Sequence, residues 1–166
     1  MGPDEIAGVL RTRFADVVPA RGEVTVSLGP DEATAALEWL RDEPGLSFDL
    51  LVDLTCTDWP GRSPRYWVVL HLRSEAHGHR VRVKVGLPDA EPPRMPSVTG
   101  LFPAADWYER EVFDFFGVVF EGHPDLRRIE LPDEWEGHPM RKTEPLAGVR
   151  TQYHGASVPP PDQRGL

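Results

Sequence analysis

Apolar residues recur along the first two-thirds of this chain in two rhythms, one helical and one alternating. Ile6, Val9, Leu10 and Phe14 are spaced as on one face of a helix, which predicts a short first helix. Val24, Val26 and Leu28 alternate and predict a strand. Gly29-Pro30-Asp31-Glu32 then opens a second helix, because proline suits a first turn and two acids complement the helix dipole. Its apolar face is Ala33, Ala36, Leu37 and Leu40, and Pro44-Gly45 ends it. Phe48, Leu50, Val52 and Leu54 alternate as a second strand, and Tyr66 to Leu72 reads as a central third. In a fourth, Val81, Val83, Val85 and Leu87 face one way and Arg80, Arg82 and Lys84 the other. Those cations form either a solvated sheet face or a strip for an acidic partner.

A proline-rich turn from Pro88 to Pro96 leads to a third helix, which Pro103 can start and Gly117 can cap. At about 100° per residue, Trp107, Tyr108, Val112, Phe115 and Phe116 make one broad apolar arc. Asp106, Glu109, Arg110 and Asp114 fall on the other side, spaced for Asp106/Arg110 and Arg110/Asp114 pairs. Glu111 does not fit, because it projects into the apolar arc. A buried carboxylate is costly unless paired, so Glu111 is expected to be buried against an arginine from farther along the chain.

After Gly117 the periodicity stops, and residues 118–166 hold seven prolines. The segment still carries Phe120, Leu126, Ile129, Leu131, Trp135, Met140 and Leu146, which an extended arm cannot bury against itself. It should therefore lie along its own domain or across another protein. The predicted fold is α+β: a mixed sheet of about four strands packed with two to three helices, over residues 1–117. An extended partner-binding C-terminal arm with little regular structure, residues 118–166, follows it.

Composition narrows the function. The chain has 166 residues, a net charge of −9 and one cysteine. The acid excess disfavours non-specific nucleic-acid binding, although residues 61–96 are locally basic. A lone Cys56 leaves no disulfide framework, four-cysteine zinc site or self-contained iron–sulfur cluster. No apolar run approaches the ~18 residues of a membrane span. Met1-Gly2-Pro3-Asp4-Glu5 lacks the charged start and apolar stretch of a signal peptide, so a soluble, cytoplasmic-side protein is expected.

Candidate chemistry rests on the histidines. Gly122-His123-Pro124 and Gly137-His138-Pro139 echo each other, each preceded by a glutamate. With a carboxylate they could hold a metal, making a free-standing metal-dependent enzyme one alternative. The other is structural: glycine permits a turn, proline fixes the next φ, and the imidazole bonds nearby groups. His77 and His79 flank a hairpin glycine and are expected to be exposed, as is His154, and His71 to be half-buried in a strand. No GxGxxG, GxxxxGK[ST] or GxSxG occurs, hence no phosphate cradle of those types and no nucleophile elbow. The pairs Arg127-Arg128 and Arg141-Lys142 stand near Asp125, Glu130, Asp133, Glu134 and Glu136, where local ion pairing is one use for them.

The run Glu109-Arg110-Glu111-Val112-Phe113-Asp114-Phe115-Phe116-Gly117, then Phe120-Glu121-Gly122-His123-Pro124-Asp125-Leu126-Arg127-Arg128-Ile129, resembles a known signature. It is that of the C subunit (30 kDa subunit) of respiratory complex I, the proton-pumping NADH:quinone oxidoreductase. Glu136-Gly137-His138-Pro139-Met140-Arg141-Lys142 and Pro145-Leu146 are similar too, and the likeness covers roughly residues 46–146. Asp106, Glu130, Met140 and Thr143 depart from the family's usual residues.

The resemblance implies an α+β domain with an extended arm lying against the neighbouring D subunit, with the B subunit nearby. It implies a structural role in the hydrophilic arm, on the cytoplasmic side of the cell membrane and held there through partners. FMN and iron–sulfur clusters would belong to partner subunits, and this chain would carry no cofactor and no active site of its own. Glu109, Arg110, Glu111, Asp114 and Gly117 would anchor the helix. Gly122, His123, Pro124, Asp125, Arg127, Arg128, Gly137, His138, Pro139, Arg141 and Lys142 would carry the arm and the partner interface. The same type of subunit resembles components of related membrane-bound hydrogenases and other quinone-reducing dehydrogenases.

Overall fold

The computed structural model describes residues 1–144, so Pro145, Leu146 and His154 lie outside the described residues. Among them are α1 (Pro3–Leu10), β1 (Asp16–Ala20), β2 (Glu23–Leu28), α2 (Pro30–Asp42), β3 (Leu50–Asp58), β4 (Tyr66–Arg73) and β5 (Arg80–Gly86). Then come β6 (Arg94–Pro96), α3 (Ala105–Phe116) and β7 (Val119–Glu121). The fold is α+β, with a five-stranded mixed sheet and three helices. Helices α1 and α2 start alike, with proline in the first turn. The backbone N–H of Gly2 donates to Glu5 (2.7 Å), and that of Gly29 to Glu32 (3.4 Å). Helix α1 stops at Leu10, short of Phe14, whose ring instead meets Trp39 of α2 edge-on at 5.7 Å.

The sheet runs in the order β1-β2-β5-β4-β3, with β2 and β5 parallel and the other neighbours antiparallel. Strand β5, the cleanest alternation in the sequence, is at the centre. Strand β1 escaped the pattern because it is a five-residue edge strand that carries a proline, Pro19, as edges tolerate. Arg21 and Gly22, both at positive φ, turn it tightly into β2.

One predicted register is wrong. Leu50 and Val52 are 38% and 48% exposed, while Leu51 and Leu54 are buried. The β3/β4 pairing slips between Leu51 and Asp53, and one extra residue sends the side chains before it to the other face. The cations of β5 are engaged within the sheet: Arg82 and Arg80 reach Glu23 at 2.5 and 3.6 Å, and Lys84 lies 4.6 Å over the Trp67 ring. His79 is buried at 8% exposure rather than exposed, because the β4–β5 turn folds back onto the loop after α2. There its Nε2 meets the Leu46 carbonyl at 2.7 Å. His77 is exposed and reaches the Pro44 carbonyl.

The core forms where Ile6, Leu10, Leu37 and Leu40 of the helices meet Val24, Val26, Val83, Leu70 and Leu54 of the sheet. Helix α3 lies along β3 at the sheet's edge, tied to it by the Tyr108 hydroxyl donating to the Val52 carbonyl at 3.0 Å. Regular structure continues just past Gly117. Strand β7 pairs in parallel with β6, and Val118 and Phe120 are in the core at 0% and 2% exposure. From Gly122 to Glu144 no helix or strand recurs, and this stretch wraps back over α3.

Candidate functional site

Helix α3 is buried on two sides. At about 100° per residue, Ala105, Glu109, Val112 and Phe116 form a stripe turned to the core, and Arg110 and Asp114 a second stripe turned to the arm. Glu111 and Trp107 point out between the two covered sides and are exposed. This overturns the expected burial of Glu111. The residue is exposed, and the buried carboxylates of the helix are Glu109 and Asp114, both at 0% exposure. A single apolar arc implies one covered side; the arm supplies a second. The Asp106/Arg110 and Arg110/Asp114 pairs do not form either, because each of these side chains reaches a main-chain or side-chain group of the arm.

Asp114 holds the middle of the arm. Its Oδ2 accepts the successive backbone N–H groups of Ile129, Glu130 and Leu131 at 3.1, 2.9 and 2.9 Å. Its Oδ1 accepts from Arg128 at 2.6 Å, and Arg128 also donates to the Trp135 carbonyl at 2.8 Å. Burial by itself would push this carboxyl up. The N–H groups of Leu131 and Glu130, the Arg128 guanidinium and the Ile129 N–H together outweigh burial and hold it below the usual aspartate range. Arg110 donates to the carbonyls of Arg127 and Arg128, both at 3.3 Å, so helix and arm are cross-laced in both directions.

The two Gly-His-Pro units sit at opposite ends of the helix. His123, its side chain fully buried, has its Nε2 3.1 Å from both the carbonyl and the carboxylate of Asp106. Its Nδ1 accepts the Asp125 N–H at 3.0 Å, which leaves the proton on Nε2. The second unit closes the C-terminus. The last four carbonyls of a helix lack intrahelical partners, and in α3 all four are met. The Phe113 carbonyl takes the Gly117 N–H (2.9 Å), and that of Asp114 takes His138 Nδ1 (2.9 Å). The Phe115 carbonyl takes the Met140 N–H (3.1 Å), and that of Phe116 takes Arg141 Nε (2.7 Å).

Gly117 makes that closure possible. Its φ is +74°, and a Cβ built on it would lie 2.5 Å from His138 Nε2 and 2.7 Å from Arg141 Nη2. Gly117→Ala is expected to cost about 1–2 kcal/mol from the left-handed conformation alone. It should also push His138 and Arg141 off the carbonyls, which faster amide exchange at Met140 would report. An unchanged melting temperature and exchange rate would contradict this reading.

Beyond the second unit, Lys142 donates its backbone N–H to Asp58 at 2.8 Å, and Arg65 grips the same carboxylate at 2.7 and 2.9 Å. The Arg65 bond is the main reason that the Asp58 carboxyl lies below its usual range. Arg141 reaches Glu91 at 3.1 Å. On the domain side, Glu109 accepts the Val98 N–H and the Ser97 hydroxyl, both at 2.7 Å. Burial raises its pKa, and those two bonds offset part of the rise. Arg127 makes the local pair the sequence allows, with Asp125 at 2.9 Å. Pro124 and Pro139 are exposed beside their histidines, and Gly122 and Gly137 turn the chain at φ +85°.

The arrangement spends its polar groups on holding the arm. His123 and His138 engage carbonyls eight residues apart on α3, roughly 12 Å of helix rise, so they do not converge as the metal-site alternative requires. Among the described residues no group of three or more His, Cys, Asp or Glu is placed to hold a metal ion. Burial pushes the Cys56 thiol up to about 12, far from the range of a reactive thiolate. The sequence pattern assigns no role to Asp58, Arg65, Glu91, Ser97 and Val98. They lie far along the chain from the arm or carry only a backbone N–H, and no spacing rule reaches them.

Fold and site define an α+β domain strapped by its own residues 123–144. A family model described as the respiratory-chain NADH dehydrogenase 30 Kd subunit matches residues 26–150. The C subunit of the NADH-quinone oxidoreductase of Mycolicibacterium smegmatis is 44% identical over 167 residues, covering 97% of this chain and 70% of that protein. The Mycobacterium tuberculosis protein of the same name is 42% identical over 169 residues, covering 97% of this chain and 71% of that protein. A chain from the membrane-bound sulfane sulfur reductase, an archaeal respiratory membrane complex, shares the fold at a TM-score of 0.73 with 25% identity. That match covers 93% of this chain and 98% of the other. The chain belongs to the family of the respiratory-chain NADH dehydrogenase 30 kDa subunit, the C subunit of complex I.

Proposed function

We propose that this chain is a non-catalytic, structural subunit in the hydrophilic arm of a proton-translocating NADH:quinone oxidoreductase. It helps to hold together the subunits that carry electrons from NADH through FMN and iron–sulfur clusters to quinone, and those cofactors are in its partners. Its chief neighbour is the D subunit, with the B subunit nearby. It sits on the cytoplasmic side of the membrane, attached through these partners, and among the described residues no helix is long and apolar enough to cross a membrane. The observation that carries the reading is the use made of the family signature. Glu109, Asp114, His123, Arg128, His138 and Arg141 are all spent on shaping one helix and its strap. That gives a rigid surface for neighbours and leaves these groups no part in chemistry.

The likeness to the sulfane sulfur reductase chain favours one further setting, the equivalent scaffold position in a related respiratory membrane complex with a different electron input. Native-gel separation of mildly solubilised membranes, with mass spectrometry of the band containing this chain, tests both. Co-migration with flavin and iron–sulfur subunits is expected, and the input subunit then names the donor. Migration at the mass of the lone chain would overturn the proposal.

The same gel tests the role of the strap. A chain ending at Gly122 keeps Val118 and Phe120 in the core, and the groups of α3 that it uncovers become accessible to water. It is expected to fold and to be absent from the assembly. Retention in the complex would count against a docking role for the strap.

A further inference from the structure

Glu111 is the charged residue of the α3 signature that neither the core nor the strap uses. It stands on the solvent side of α3 with Trp107 one turn before it and Phe115 one turn after, and Tyr108 beside it at i−3. Trp107 is 60% exposed, with the Arg110 guanidinium over its ring at 5.2 Å. The strip widens onto Val52, 48% exposed, whose carbonyl accepts the Tyr108 hydroxyl at 3.0 Å. At its far end is Met140, 51% exposed, whose N–H donates to the Phe115 carbonyl. Scattered single apolar residues on a surface need no explanation; exposed Trp107, Val52 and Met140 gathered with the half-buried rings of Tyr108 and Phe115 about one carboxylate do. Among the described residues, the Glu111 carboxylate has no ion pair and no hydrogen bond.

We propose that this strip docks a segment of another subunit that presents an arginine or lysine between apolar side chains. Exposed tryptophan and tyrosine are the residue types that dominate binding energy when a partner covers them. Covering the rings takes water from Glu111, and a desolvated carboxylate needs a cation. A guanidinium suits it best, since it can bond both oxygens while its flat face lies on the neighbouring rings. A second copy of this chain fits badly. Symmetric pairing of the strips would oppose Glu111 to Glu111, between chains that each carry a net charge of −9. The inference rests on the chain's place in a multi-subunit complex and specifies which surface is used there and by what chemistry.

The test uses the full chain expressed in its own membranes, with native gels reading the fraction assembled. Glu111→Arg and Trp107→Ala are each expected to lower that fraction about tenfold or more, as loss of an interface anchor does. Glu111→Gln, which removes charge without reversing it, should lower it less. Glu111 is exposed and, among the described residues, unpaired, so the melting temperature of isolated Glu111→Arg should stay within about 2 °C of the parent. That of Trp107→Ala, which also gives up the Arg110 contact, should stay within about 4 °C. A photo-crosslinking p-benzoylphenylalanine at position 107 should label a peptide of another subunit that contains arginine or lysine. Normal assembly of Glu111→Arg and Trp107→Ala would overturn this inference alone, as would crosslinks confined to a second copy or to residues 145–166. A parent chain found in no assembly would overturn the proposed function and this inference with it.

Discussion

Asp114→Asn is expected to free the strap while leaving the sheet intact. The asparagine side chain has one oxygen and one N–H2 group, so it must turn a donor either toward the Arg128 guanidinium or toward three converging N–H groups. In both orientations a half-buried cation or a row of amides loses its acceptor. Removing one partner of a buried pair costs about 3–5 kcal/mol. Amide exchange at Ile129, Glu130 and Leu131 should therefore accelerate by at least about a hundredfold, since each 1.4 kcal/mol is a factor of ten. Exchange in β4 and β5 should not change. Unaltered protection at those three amides would remove Asp114 from the centre of the strap.

The pH dependence of the strap follows with a definite sign. The Asp114 carboxyl in the fold lies below its ordinary value of about 4. Its contribution is present in full above the ordinary value and is lost as pH falls through the lowered one. Asp58 is shifted the same way, with Arg65 as the main cause, so acid should loosen the Lys142 end as well. In Asp114→Asn, only the Asp58 part of that acid response should survive.

Glu109 should behave in the opposite sense. Burial raises its pKa in the fold, so its contribution is present below the ordinary glutamate value and is lost as pH rises through the raised one. Glutamine at this position keeps an acceptor for the Val98 N–H and can donate to the Ser97 hydroxyl, with no charge to bury. Glu109→Gln is thus expected to be no less stable than the parent at pH 8, and its advantage should shrink toward pH 5. Glu109→Ala leaves the buried Val98 N–H without a partner, a loss of about 1–3 kcal/mol before any cavity is counted. For a chain of this size that is roughly 2–4 °C in melting temperature per kcal/mol. Thermal denaturation at both pH values checks the pair of variants, and equal losses in glutamine and alanine at pH 8 would refute the argument.

The family signature was legible as a string, and its residue roles were not. Gly117 could be read as a helix stop from its type and place, and it is one. The two Gly-His-Pro units could be read as turns, but their targets on α3 are 17 and 24 residues away in sequence. No periodicity links an imidazole to a carbonyl at that separation. His79 misled for the same reason, since its partner, Leu46, is 33 residues back.

By itself the sequence determined the local elements: α1 and α2 with their proline starts, the alternation of β2 and β5, the apolar β-branched run of β4, the extent of α3, and an arm without a period of its own. These follow from side-chain spacing and from what glycine and proline allow the backbone to do, and both are properties of neighbouring residues. Tertiary structure decided the face of α3. A helix turned to one core buries one stripe, and the hydrophobic pattern finds it only if nothing else covers the helix. Here the strap covers a second stripe with hydrogen bonds rather than apolar contact, so Asp114 and Arg110 are buried, Glu109 is sealed against Ser97 and Val98 just past β6, and Glu111 is left to the solvent. A carboxylate can be buried once main-chain donors converge on it. Those donors are placed by the path of the chain, and their side chains bear no mark of it.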